Sequence, residues 1–89
     1  MSPRVTLLGA RDCHLCEAAR RVIEGVRAEV AFELEDVEIG DDAELERQYR
    51  ERIPVVLVDG VEAFTYFVHP DALRRRLSAA AGGAAGAHG

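Results

Sequence analysis

Two cysteines, Cys13 and Cys16, are the side chains of this 89-residue chain whose type and spacing most directly suggest covalent chemistry. A thiolate is the nucleophile of disulfide exchange and the ligand of soft metals, and a free Cys is mostly protonated at neutral pH. Cys13-His14-Leu15-Cys16 follows a short β-branched run, Val5-Thr6-Leu7-Leu8, and opens a helical pattern. A helix start offers unpaired N–H groups and a partial positive charge, both of which stabilise negative charge on sulfur. Cys13, at or just before the first turn, is placed to accept those bonds. Cys16 lies one turn deeper, less exposed, and within bonding reach. Cys13 is therefore expected to attack a substrate disulfide, and Cys16 to displace the product and close an internal bridge.

The neighbours act in opposite directions. Arg11 and the helix end favour the thiolate, whereas Asp12 and Glu17 oppose it by like charge. His14 helps only when protonated, which the helix start disfavours. A moderately stabilised thiolate suits a reductase better than a strong oxidant. Two other readings of the pair stay open here. It is half of a zinc site, but His14, His69 and His88 are the only histidines to complete one. It is also compatible with an iron–sulfur cluster shared across a dimer. In the redox reading His14 is a solvated first-turn residue, His69 starts a helix, and no metal is held. A non-catalytic binding module is the remaining alternative.

Composition narrows the partners. Ten Glu and six Asp face eleven Arg and no Lys, for a formal charge of −5. Nucleic-acid binding needs a phosphate-neutralising basic face, so none is expected. No run approaches the ~20 apolar residues of a membrane span, and the first residues lack the apolar core of a secretory signal. The expected compartment is the cytoplasm, where thiols stay reduced and paired cysteines are redox-active or metal-binding rather than structural. A monomer is expected.

The surrounding elements follow from periodicity. Leu15, Ala18, Ala19, Val22, Ile23 and Val26 form one helical face. Val30, Phe32 and Leu34 alternate with polar residues as a strand, and the alternation slips at Glu35-Asp36, which predicts a bulge or strand end. Asp41 and Glu44 have the spacing of a capping box before a helix reaching about Glu51, with Leu45, Gln48 and Tyr49 facing inward. Ile53-Pro54 restarts an extended run to Val58, and Asp59-Gly60 is a hairpin signal leading to a return strand over 61–68. His69-Pro70-Asp71 opens a last helix with Leu73 and Leu77 as an inward pair. Residues 79–89 are Ala/Gly-rich and are expected to be a disordered tail. The order strand, helix, strand, helix, hairpin, helix predicts an α/β domain over 1–78 with a four-stranded mixed sheet and helices on both faces.

A CxxC after the first strand and a distant Ile53-Pro54 opening a hairpin resemble the thioredoxin fold. The short chain resembles its glutaredoxin branch, in particular small bacterial glutaredoxin-like proteins with Cys-x-Leu-Cys and Ile/Val-Pro-Val, over about residues 4–78. The resemblance implies a thioredoxin-like α/β fold, a four-stranded mixed sheet flanked by three helices in the order βαβαββα, with Cys13 as nucleophile and Cys16 as resolving thiol. It implies that Pro54 is cis, packs beside the cysteines, and that the Ile53 backbone pairs with substrate like an added strand. Without it, Pro54 reads as a simple strand-start proline. Arg11, His14, Leu15, Ile53 and Pro54 are the implied substrate-binding set, with Leu15, Ile53 and Tyr49 suggesting protein targets. Protein or small-molecule disulfides are the expected substrates. No bound cofactor is expected; turnover needs a reducing thiol, glutathione or another, or a thioredoxin-type donor. The glutathione-binding pattern Gly-Gly-x-Asp is replaced by Phe67-Val68-His69-Pro70-Asp71, in which Asp71 either substitutes for the acid or serves as a first-turn residue.

Overall fold

The computed structural model describes the backbone of residues 2–86 and the side chains of residues 2–80. Strand β1 (Arg4–Gly9) feeds helix α1 (His14–Arg27), which returns the chain to strand β2 (Glu33–Glu38). A 3-10 turn (Ile39–Asp41) and a short helix α2 (Ala43–Tyr49) lead to strands β3 (Val55–Val58) and β4 (Val61–Thr65) and to helix α3 (Pro70–Gly86). The sheet order is β2-β1-β3-β4. β1 and β2 are parallel because α1 carries the chain back across one face. β3 is antiparallel to both β1 and β4. The fold is a four-stranded mixed sheet with three helices, of the thioredoxin-like α/β class.

Alternation along the strands divides the core into two layers. Val5, Leu7, Val56 and Val58 point toward α1 and α3, where they meet Ala19, Ile23, Val26, Leu73 and Leu77. Leu8 and Val55 point the other way, with Ile39 and Ile53, toward Leu45 and Tyr49 of α2. Leu7, Ile23, Leu73 and Leu77 are fully buried, so truncating any of them to Ala is expected to cost about 2–5 kcal/mol.

The structure departs from the sequence pattern at several places; β4 ends at Thr65 and not at 68, and Gln48 of α2 is exposed. β2 starts at Glu33 and pairs with β1 without a break from Arg4↔Glu33 to Gly9↔Glu38, so there is no bulge at Glu35-Asp36. The pattern slips because Asp36 shares a strand face with Leu34 and accepts both arms of the Arg20 guanidinium, at 2.6 and 3.1 Å. Helix α2 is capped by Asp42, not Asp41: its carboxylate accepts from the Glu44 and Leu45 N–H groups at 2.9 and 3.3 Å. The sheet irregularity lies instead between Val56 and Leu57, where Ala63 is the extra residue of β4. Asp59 and Gly60, at φ 52° and 83°, form the two-residue hairpin turn that Asp-Gly predicts.

A further difference is at the C-terminal end. Helix α3 continues to Gly86, whereas the pattern placed a disordered tail from residue 79. Ala79 and Ala80 extend a helix readily because Ala has the highest helix propensity, with no apolar stripe required. Residues 87–89 of the expected tail, including His88, lie outside the described residues. Among the described residues, no helix is long and apolar enough to cross a membrane.

Candidate active site

Cys13 is the N-cap of α1, and the capping atom is its sulfur. The Cys16 N–H donates to Cys13 Sγ at 3.1 Å, and the Glu17 N–H donates to the Cys13 carbonyl at 3.1 Å. A Ser, Asp or Asn usually fills this place because an oxygen accepts the free amides. Putting sulfur there directs a helix-end N–H at an atom that a thiolate form would charge negatively. The two sulfurs are joined in this structure, with the Cα atoms 5.2 Å apart. Their surroundings differ sharply. Cys13 is half-buried, whereas Cys16 is 0% exposed and packed with Leu8, Ala10, Ile39, Ile53 and Val55.

Gly9 completes that enclosure. It ends β1 directly against Cys16, with no room for a side chain to spare. The signal that marks it is its place, a glycine closing the strand that hands over to the cysteine loop.

The proposed substrate-binding residues divide. His14 is exposed as the first residue of α1, and Leu15 beside it is 38% exposed. Arg11 leans away, its guanidinium 4.0 Å from Glu38 and 3.8 Å from Asp41. It therefore balances acids at the end of β2 and in the 3-10 turn. The Ile53 side chain is buried in the Cys16 cluster, which corrects its reading as an apolar surface contact. Among the described residues, no backbone bond outside helices and strands engages the Ile53 N–H or C=O, and β3 pairing begins at Val55. Pro54 is fully buried and its peptide bond with Ile53 is cis. Tyr49 packs on the same cluster, with the Arg52 guanidinium 5.1 Å from its ring centroid.

Asp71, the alternative to a glutathione-holding acid, is paired with Arg74 at 2.6 Å. His69 is exposed, and its carbonyl accepts the Leu73 N–H at 2.9 Å as α3 begins. Phe67, the first residue of the stretch that stands in place of the glycine pattern, is 62% exposed, and Tyr66 before it is 44% exposed. With Leu15, Ala18 and Val22 they line a shallow apolar groove between α1 and the β4–α3 connection. Among the described residues, no three His, Cys, Asp or Glu side chains gather into a set that could hold a metal.

The local charge is acidic. The Glu46 carboxyl is held below the usual carboxylate range, chiefly by its hydrogen bonds from Arg50 at 2.5 and 2.9 Å, and Asp12 opposes this by like charge.

A mixed four-stranded sheet with a CxxC at the start of α1 and a cis-proline before β3 defines a glutaredoxin-like member of the thioredoxin fold. The chain belongs to the Glutaredoxin-like domain family (DUF836), which matches residues 4–78. Protein Ne2328 from Nitrosomonas europaea is similar in structure, at a TM-score of 0.74 and 28% identity over 86% of this chain and 93% of that one. Protein XcR50 from X. campestris is similar at a TM-score of 0.71 and 33% identity, over 84% of this chain and 96% of that one. The glutaredoxin-like NrdH-redoxin from Escherichia coli shares the fold at a TM-score of 0.59 and 24% identity, over 81% of this chain and 92% of its own. Among curated proteins, none matches the chain. Fold and cysteine pair together support a redox role.

Proposed function

We propose that this protein is a thiol–disulfide oxidoreductase that reduces protein or mixed disulfides through a dithiol cycle at Cys13 and Cys16. The asymmetry of the pair carries this reading: a partly exposed sulfur receives a helix-end N–H, and a sealed sulfur stands one turn behind it. In the first step the Cys13 thiolate attacks one sulfur of a substrate disulfide. A Cys13–substrate bond forms, the substrate bond breaks, and the leaving sulfur departs as a thiolate that takes a proton. In the second step Cys16 loses its proton and attacks Cys13 Sγ, expelling the second substrate sulfur. Two electrons pass to the substrate, and Cys13–Cys16 is left oxidised. Two molecules of an external monothiol, glutathione or another, which leave joined as their own disulfide, or one protein dithiol of thioredoxin type, return the two electrons.

Burial gives Cys16 its role. A sulfur with no exposure cannot reach an external disulfide, but it is adjacent to one carried on Cys13. The test is turnover of a small disulfide by the reduced protein with excess dithiol donor. Cys13→Ser is expected to abolish it. Cys16→Ser, reduced and freed of donor before substrate is added, is expected to stop after one exchange, with substrate attached to Cys13. Undiminished turnover in Cys13→Ser would overturn the assignment.

A further inference from the structure

The alternating pattern Phe64-Thr65-Tyr66-Phe67 would carry β4 onward, yet the strand ends at Thr65. The reason lies in Tyr66. Its φ of 66° is left-handed, and the Phe67 N–H returns to the Thr65 carbonyl at 2.7 Å, closing a three-residue γ-turn around it. A γ-turn of this hand is rare and strained, and left-handed backbone is an outlier for a bulky residue. Such strain persists only where surrounding contacts over-determine it, and it clusters at functional sites.

The contacts that hold Tyr66 have one target. Its N–H donates to the Pro54 carbonyl at 2.9 Å, and its hydroxyl donates to the Glu51 carbonyl at 2.8 Å. One residue thus grips both ends of the segment 51–54. Inside that span lies Ile53, whose side chain packs in the Cys16 cluster and whose backbone groups have no partner outside regular structure among the described residues.

We propose that Tyr66 is a positioning residue, which clamps Glu51 and Pro54 so that the open Ile53 backbone stays set beside the cysteine pair for an extended protein segment carrying a disulfide. The proposal rests on the reductase reading above. It deepens that reading by naming the substrate class. A protein disulfide brings a backbone to pair with Ile53, whereas a small disulfide brings none. Tyr66 is not a catalytic residue: its polar groups are spent on carbonyls of this chain.

The test compares wild type and Tyr66→Phe on insulin and on bis(2-hydroxyethyl) disulfide. Loss of one hydroxyl bond should raise KM for insulin about fivefold, with kcat unchanged. Both constants for the small disulfide should stay at wild-type values. Unchanged KM for insulin overturns the proposal, as does an equal loss on both substrates, which a general structural defect would produce. Wild-type protein that reduces neither disulfide overturns the reductase reading and, with it, the substrate class. Amide exchange then decides the clamp by itself: faster exchange at Arg52 and Ile53 in Tyr66→Phe supports it, and equal exchange overturns it.

Discussion

Gly9 lies so close to Cys16 that a Cβ on residue 9 would sit 3.0 Å from the sulfur and 3.2 Å from the Cys16 Cβ. That contact is tighter than packed interiors normally hold, and the sulfur is enclosed by Leu8, Ile39 and Val55, which leave it little room to retreat. The end of β1 therefore sets where the resolving thiol sits.

Gly9→Ala should cost about 1–3 kcal/mol of stability by overpacking. It should also slow bridge closure, because a displaced Cys16 meets the Cys13 mixed disulfide in poorer alignment. Urea denaturation measures the first effect, and quenched mass spectrometry of the mixed disulfide measures the second. An unchanged midpoint with an unchanged lifetime would show that the site relaxes freely.

The helix caps separate two adjacent acids. Asp42 accepts two N–H groups at the start of α2, so Asp42→Ala should cost about 1 kcal/mol. Asp41 makes only a 3.8 Å exposed contact with Arg11, and Asp41→Ala should stay within about 0.5 kcal/mol. Denaturant midpoints of the two variants test the difference. Equal losses would place the cap wrongly.

Glu29, after α1, is tied to Arg74 of α3 at 2.7 Å, and this hydrogen bond holds its carboxyl below the usual range. A depressed carboxylate stabilises the fold fully above the ordinary carboxylate range and loses that contribution as pH falls through its folded value. Glu29→Gln should therefore be less stable than wild type at neutral pH, with the gap closing in acid and shrinking in high salt. A gap independent of pH from neutral to acid would mean that the pair contributes nothing through charge.

Local patterns were enough for the elements that position the site. The three- and four-residue spacing from Leu15 to Val26 outlines α1, Asp59-Gly60 marks the hairpin, and Cys13-x-x-Cys16 at a strand–helix junction marks the chemistry. What the sequence hid depends on partners far along the chain. Asp36 sits on a helix-facing strand surface because Arg20 reaches it, and no alternation rule foresees that. Tyr66 looks like another strand residue until the Pro54 and Glu51 carbonyls bend it into a turn. Ile53 reads as surface from its place beside a proline, yet its side chain is drawn under α2 with Cys16. Gly9 reads as punctuation, and its closeness to Cys16 appears only when β1 and α1 are packed.

The most direct measurement is competitive alkylation of the fully reduced protein near neutral pH, with sub-stoichiometric iodoacetamide and peptide mapping. The account predicts label on Cys13 in large excess over Cys16, because Cys13 is the partly exposed sulfur that accepts a helix-end N–H. Label shared equally, or found first on Cys16, would contradict it.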